Sequence, residues 1–226
     1  MNIEANIKEV ITNIKKAAEK SGRDAQSIQL VTVSKNVSTE NIHTAYNTGL
    51  RAFGENRVQE WLQKYPLLPS ECEWHIIGRL QTNKIKYLSD RVALIHSLDR
   101  FSLLEKLNSE GEKRGIIWRA LVQVNIAQDE AKAGLAIEEV NDFIAAIKNY
   151  HYVKALGLMT IGALDAGKVE TKGFFRKLKE IRDKLIRQGT AGDNELPHLS
   201  MGMSQDYELA VEEGATIVRV GSKIFG

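Results

Sequence analysis

Residues 198–222 have the sequence HLSMGMSQDYELAVEEGATIVRVGS and contain one complete strand–helix–strand unit. The apolar runs 198–202 and 216–222 have the length and composition of strands, and residues 205–213 between them are compatible with a helix. A helical crossover between two strands is typical of a parallel sheet. This unit therefore predicts an α/β fold.

The same alternation extends towards the N-terminus, where six further apolar runs are separated by charged stretches with helical periodicity. Eight near-continuous apolar strands alternating with helices match a closed barrel. A doubly wound open sheet is the alternative, and the lack of a GxGxxG motif after the first run disfavours it. The further predicted strands are 28–35, 52–56, 74–78, 92–98, 118–126 and 153–160, and the further helices are 39–50, 57–65, 82–88, 100–114, 137–149 and 169–188.

Residues 1–22 alternate charges with Ile and Val at helical spacing, which predicts an amphipathic helix before the barrel. This segment has no apolar run long enough for a signal peptide or a membrane span. Ser38 and Asp99 are placed to cap the helices that follow them. We therefore expect a single (β/α)8 TIM barrel domain over residues 1–226 with an additional N-terminal helix.

The composition narrows the function classes. The chain has 31 Lys and Arg against 29 Asp and Glu, interspersed along its length, so we expect neither nucleic-acid nor membrane binding. Cys72 is the only cysteine, which excludes a disulfide framework and a Cys-rich zinc site and predicts a cytoplasmic protein. The five histidines lack metal-ligand spacing, so no metal site is predicted.

Lys35, at the end of the first predicted strand, is the first candidate for chemistry. A barrel carries its functional residues at the C-terminal ends of its strands. An amine at that position can condense with an aldehyde. A solvated surface lysine is the competing interpretation, and from strand position alone it is the more common outcome.

Two loops have residues suited to phosphate. Barrels often bind phosphate in the loops after strands seven and eight, where backbone N–H groups face the anion. Small residues also suit tight turns, which is the structural alternative. The candidate segments are Ser200, Met201, Gly202, Met203 and Ser204 in the first loop, and Gly221 and Ser222 in the second.

Arg219 lies inside the eighth predicted strand, where burial is difficult to avoid. It could form a structural ion pair with Glu55 or another barrel carboxylate. It could instead donate to a pyridine nitrogen, which would stay unprotonated and be a weakened electron sink. His75 follows Trp74 on a buried strand, where a core histidine is the more common interpretation.

Several long segments together identify a family. The chain resembles the YggS/PROSC family of pyridoxal phosphate homeostasis proteins, whose barrel is similar to the N-terminal domain of alanine racemase. The resemblance covers almost the whole length and is carried by VTVSK, FGENRVQE, WHIIGRLQTNK, the region around residues 132–135, GLMTIG and LSMGMSQDYELAVEEGATIVRVGSKIFG.

The resemblance implies a set of site residues for pyridoxal 5'-phosphate (PLP). Lys35 would hold the cofactor as a Schiff base, and Arg219 would face the pyridine nitrogen. Lys132 matches a second lysine that helps to pass PLP to or from the site. The segments that hold the phosphate contain Ser200, Met201, Gly202, Ser204, Gly221 and Ser222, and those that line the cofactor contain Asn56, His75 and Met159.

The implied function is intracellular homeostasis of vitamin B6, through storage and delivery of PLP, and of amino-acid pools. Apo PLP-enzymes are the expected acceptors, and a monomer is expected. Because the sequence stops at Gly226, we expect no second domain to supply a racemase tyrosine, and hence no robust turnover. Two alternatives remain open, a weak PLP-dependent amino-acid racemase with Lys35 as its base and a Schiff-base aldolase acting on a sugar phosphate.

Overall fold

The strand–helix alternation produces a closed barrel. In the computed structural model, which describes residues 2–129, 132–162, 166–192 and 194–226, eight parallel strands pair in chain order and β8 returns to β1. The predicted (β/α)8 TIM barrel is confirmed. Its strands are β1 (Gln29–Val33), β2 (Ala52–Glu55), β3 (Glu73–Ile76), β4 (Val92–Leu98), β5 (Trp118–Gln123), β6 (Val153–Met159), β7 (His198–Ser200) and β8 (Ile217–Val220).

Helices cover the outside of the barrel. A 3₁₀ helix, Thr82–Tyr87, takes the place of an α-helix between β3 and β4. Further 3₁₀ turns lie at Ala25–Ser27, Tyr65–Leu67 and Ile137–Glu139. The α-helices are α1 (Ile3–Lys20), α2 (Thr39–Asn47), α3 (Val58–Lys64), α4 (Phe101–Arg114), α5 (Val140–Ile147), α6 (Lys168–Arg187), α7 (Tyr207–Glu212) and α8 (Ser222–Phe225).

The predicted N-terminal helix is α1, which packs against α2, α7 and α8. The Asn2 side chain caps it by accepting a hydrogen bond from the Ala5 N–H. Its apolar residues recur every three or four positions, so one face is buried. No helix in the described part of the chain is long and apolar enough to cross a membrane.

The two predicted helix caps have different outcomes. Ser38 caps α2 as expected, since its hydroxyl accepts from the Asn41 N–H at 3.4 Å. The prediction for Asp99 is wrong. Arg100 holds the N-cap position of α4 without a side-chain cap, because the Asp99 carboxylate is engaged by the guanidinium of Arg100 and lies 3.7 Å from that of Arg79.

Alternation along the strands separates an inner from an outer core. Val31, Leu94 and Ile217 belong to the cluster inside the barrel, whereas Trp74 and Leu199 pack between the barrel and its helices. Side chains two residues apart on a strand share a face. Val31 and Val33 therefore share the inner face of β1, and Lys35, two residues further on, lies at the mouth of the barrel.

Candidate functional site

A cavity of about 360 Å³ opens at the C-terminal end of the barrel. It brings together Lys35 from the loop after β1 and Arg219 from β8, with the two loops that the sequence predicts for phosphate beside them. Hydrophobic side chains form part of its wall. The lining residues are Val33, Lys35, Asn56, Ile77, Gly78, Ile161, Gly162, Met203, Ser204, Gln205, Asp206, Arg219, Gly221 and Ser222.

The loop that carries Lys35 is held from both sides. Lys35 lies two residues beyond the end of β1, and α3 supplies the contacts to its neighbours. The Lys64 ammonium donates to the Ser34 carbonyl at 2.7 Å. The Glu60 carboxylate accepts from the N–H of Asn36, whose φ of 57° is left-handed. These contacts fix the backbone on either side of Lys35.

Behind this loop lies a buried ion pair between the barrel and α3. Lys64 Nζ is 2.9 Å from Glu55 Oε1, and the Ser34 hydroxyl donates to the same oxygen at 2.6 Å. Burial raises the pKa of Glu55, and the hydrogen bonds from Ser34 and Lys64 oppose that shift. Glu55 is therefore the partner of Lys64, and the alternative of a Glu55–Arg219 ion pair is wrong.

Arg219 is a buried cation, 4% exposed. Its Nη1 donates to the Ser200 hydroxyl at 2.5 Å and its Nη2 to the Thr160 carbonyl at 2.9 Å. Within the described residues it forms no salt bridge, although the charge of the Asp206 carboxylate acts to raise its pKa. Burial lowers the pKa of Arg219 to about 10, so the guanidinium stays charged at neutral pH.

A chain of buried hydrogen bonds continues from Arg219 into the barrel. Ser200 Oγ is 3.0 Å from His96 Nδ1, and His96 Nε2 is 2.8 Å from His75 Nδ1. The Arg219 guanidinium can only donate, so the Ser200 hydroxyl accepts from it and donates to His96 Nδ1. His96 then carries its proton on Nε2 and donates to His75.

Both histidines in this chain are neutral. Burial, followed by the influence of His198, lowers the pKa of His75 to about 3. Burial and the neighbouring His75 and Arg219 hold the pKa of His96 well below its usual value. His75 is not among the described residues that line the cavity, and hydrogen bonds connect it to Arg219 through His96 and Ser200.

The loops after β7 and β8 meet at Ser204. Its hydroxyl accepts from the Gly221 N–H at 3.2 Å and from the Lys223 N–H at 3.5 Å. Asp206 accepts from the Met203 N–H at 2.6 Å, and burial raises the pKa of its carboxyl. The two loops are thus tied together at one end of the cavity, which Ser204, Gly221 and Ser222 line.

Gly202 shapes the start of the first of these loops. Its φ is +90°, and a Cβ atom would come 2.5 Å from the Ala210 Cβ atom. The left-handed backbone and the close packing both require glycine here. Gly202 thus sets the path of the chain between β7 and Met203.

The other predicted site residues fall into three groups. Asn56 lines the cavity directly. Ser200 and Met159 are fully buried beneath it, and the Met201 side chain packs in the outer core, which leaves only its backbone to face a ligand. Lys132 lines an adjacent pocket of about 140 Å³ that shares Ile77, Gly78, Ile161 and Gly162 with the cavity.

The sequence did not single out Lys64, Glu60, His96 or Asp206 for these roles. Glu60 and Lys64 are four residues apart on α3, a spacing that favours an ion pair on one helix face. His96 follows Leu94 by two residues and shares its inward face. Neither spacing identifies a site residue from the sequence alone, because the sequence does not show which faces of α3 and β4 point towards the barrel.

Comparison with known proteins points to one family. A profile of the alanine racemase N-terminal domain matches residues 5–226. A pyridoxal phosphate homeostasis protein of Aquifex aeolicus is 45% identical over 227 residues, covering 100% of this chain and 98% of that protein. The corresponding protein of Haemophilus influenzae is 33% identical, with 100% and 96% covered.

Solved structures give the same grouping. PipY of Synechococcus elongatus, solved with PLP bound, has a TM-score of 0.86 and 34% identity, with 100% of both chains covered. Alanine racemase of Clostridium difficile has a TM-score of 0.78 at 16% identity, and the match covers 100% of this chain and 56% of that one. At that identity the likeness to the racemase concerns the fold.

Proposed function

Because this chain belongs to the alanine racemase N-terminal domain family, together with the pyridoxal phosphate homeostasis proteins, we propose that it binds PLP and serves vitamin B6 homeostasis. In this role it stores the cofactor and delivers it to apo PLP-enzymes. The cytoplasmic location and the monomeric state expected from the sequence stay predictions. Lys35 is the residue that holds the cofactor.

The observation that carries this proposal is one cavity with a lysine at its rim and an arginine in its floor. Lys35 supplies an amine, and Arg219 supplies a buried positive charge without a salt-bridge partner among the described residues. A buried cation of this kind is stabilised by an electron-rich ligand. PLP offers an aldehyde for the amine and a ring nitrogen for the guanidinium.

The loops after β7 and β8 complete the fit. Ser204, Gly221 and Ser222 line one end of the cavity, and their two hydroxyls are donors there for a phosphate group. Ile77 and Ile161 supply apolar wall for the ring. These residue types match an aromatic phosphate ester that also carries a reactive carbonyl.

The electrostatics favour holding the cofactor over using it for turnover. When bound, PLP supplies an electrophilic aldehyde and a ring that withdraws electrons. Arg219 keeps its own proton and donates a hydrogen bond, so a ring nitrogen that faces it stays unprotonated. Reactions that require a strong electron sink are thereby disfavoured, which supports storage and delivery.

Borohydride reduction of the PLP-loaded protein, followed by peptide mapping, tests the role of Lys35. We expect a yellow protein in which the reduced adduct lies on Lys35, and loss of that adduct in Lys35→Ala. Lys132→Ala is the matched lysine control and should keep the adduct on Lys35. An unmodified Lys35 beside a labelled Lys132 would contradict the assignment, and a colourless protein without pyridoxal would favour the aldolase alternative.

Transfer of PLP to an apo-enzyme tests delivery. We expect the acceptor to regain activity faster with the loaded protein than with the same concentration of free PLP. Equal rates would exclude active delivery while leaving storage intact. Exchange of an amino-acid α-proton in deuterated water, abolished by Lys35→Ala, would instead support the racemase alternative.

A further inference from the structure

A second concave surface adjoins the cofactor cavity and has a different chemical character. It is a groove of about 770 Å³ that shares Asn56 and Gly78 with the cavity. Its walls are the loops that follow β2, β3 and β4, so it opens at the same end of the barrel. We call it the basic groove, because the charged residues that line it are Arg57, Arg79, Lys84 and Arg100.

The positive charge of the basic groove is only partly neutralised. Asp99 contacts Arg100 and lies 3.7 Å from Arg79, so one carboxylate serves two guanidinium groups. No carboxylate lines the groove within the part of the chain that the structure describes. The groove therefore keeps a surplus of positive charge beside the cavity.

Arg57 and Lys84 contribute most to this surplus. The Arg57 side chain is exposed and forms neither a hydrogen bond nor an ion pair with any described residue, although its charge acts on the Glu60 carboxylate at longer range. The neighbouring Glu60 carboxylate is already bound by Lys64 and by the N–H of Asn36. Among the described residues, the Lys84 ammonium forms no hydrogen bond or ion pair, and its Nζ atom lies 5.9 Å from the centroid of the Tyr87 ring.

The groove also presents neutral hydrogen-bond donors among these cations. Asn56, Gln59 and Gln81 supply side-chain amides, and Thr82 supplies a hydroxyl. A planar guanidinium matches two oxygens of a phosphate group at once. Cations and amides that converge from three loops on one concavity are suited to a compact ligand with several anionic oxygens.

We propose that the basic groove binds a small molecule that carries a phosphate or pyrophosphate group, at a site separate from the loops after β7 and β8. The volume lies within the range of small-molecule sites. The donors line a concave surface instead of a convex face, which favours a small anion over an acidic protein surface. Asn56 and Gly78 border both the groove and the cofactor cavity, so the two sites are neighbours.

Calorimetric titration with inorganic pyrophosphate tests this site. We expect saturable binding that is about tenfold weaker in Arg57→Gln, because one charge-assisted contact is lost. Lys86→Gln is the matched control, since Lys86 lies on the same 3₁₀ helix as Lys84 but is exposed outside the groove. The Arg57 side chain forms no hydrogen bond or ion pair with a described residue, and glutamine keeps the backbone contacts, so the replacement should leave the unfolding temperature nearly unchanged.

The same titration with PLP-saturated protein locates the anion. We expect pyrophosphate to bind equally well with and without PLP, and the titration without PLP is informative even if the chain binds none. Displacement of pyrophosphate by PLP would place the anion in the cofactor cavity and overturn the proposal, as would equal affinities for wild type and Arg57→Gln. Tighter binding of a hexaglutamate peptide, also weakened by Arg57→Gln, would show that the groove docks acidic protein segments instead.

Discussion

Ser200 connects the cation of the site to the polar interior of the barrel. Its hydroxyl accepts from Arg219 and donates to His96, so two buried groups depend on one oxygen. Thr32 is the contrasting case, because its buried hydroxyl has no hydrogen-bond partner in the described structure. Two buried hydroxyls of similar size therefore make opposite contributions to stability.

Ser200→Ala and Thr32→Val test this contrast by urea unfolding. Ser200→Ala should lower the free energy of unfolding by about 3 kcal/mol, because it leaves a guanidinium donor and an imidazole nitrogen unpaired. Thr32→Val keeps the shape and removes an unsatisfied hydroxyl, so it should raise that free energy by about 1 kcal/mol. A destabilised Thr32→Val protein would mean that its hydroxyl has a partner.

The sequence could predict residues such as Lys35 and Arg219, because each is a polar group at an unusual place on an apolar strand. It could not predict His96, since a histidine on a buried strand faces either side until the register is known. The Asp99 cap failed for a related reason. The preference for aspartate at helix N-termini does not account for competing cations, and here the neighbouring Arg100 and, at 3.7 Å, Arg79 from the loop after β3 engage the Asp99 carboxylate instead.

At the scale of elements, the predicted strands are present but seven of the eight end one to three residues early, as β5 and β7 show. The apolar run of β5 continues past its last ladder pair, Gln123 with Met159, and Val124 and Ile126 beyond it are still buried. Composition therefore predicts burial more directly than pairing. The contact between α3 and the Lys35 loop depends on such tertiary packing and has no short-range signature.

Lys64→Met tests how strongly α3 stabilises the loop that carries Lys35. Removing one partner of the buried ion pair leaves Glu55 without its counter-charge, so we expect a loss of roughly 3 to 5 kcal/mol in unfolding free energy. The double variant with Glu55→Gln should recover most of it. Lys20→Met is the control, because the Lys20–Glu212 pair is shorter, at 2.6 Å, but Lys20 is exposed and Glu212 keeps its contact with Lys172, so the loss should cost under about 1 kcal/mol. Equal losses for both lysines would contradict the role of burial.

At the scale of the whole molecule, the barrel encloses two histidines whose burial opposes proton uptake in the folded protein. The pKa of His75 is lowered from 6.5 to about 3, and burial lowers the pKa of His96 as well. The unfolded chain binds protons on both residues below pH 6.5, whereas the folded chain does not. Their contribution to stability is therefore complete above pH 6.5 and is lost as the pH falls from 6.5 towards 3.

Urea unfolding across about pH 5 to pH 7 measures this acid sensitivity. Each buried histidine should add a slope that approaches about 1.4 kcal/mol per pH unit, so the free energy of unfolding falls steeply below pH 6.5. His75→Asn should flatten the curve by one such increment, although it lowers stability at neutral pH by breaking the contact with His96. His151→Gln, a change at an exposed histidine, should leave the slope in place. An unchanged slope in His75→Asn would show that His75 gains a proton in the folded protein. The assignment of neutral histidines to the hydrogen-bond chain that orients Arg219 would then be contradicted.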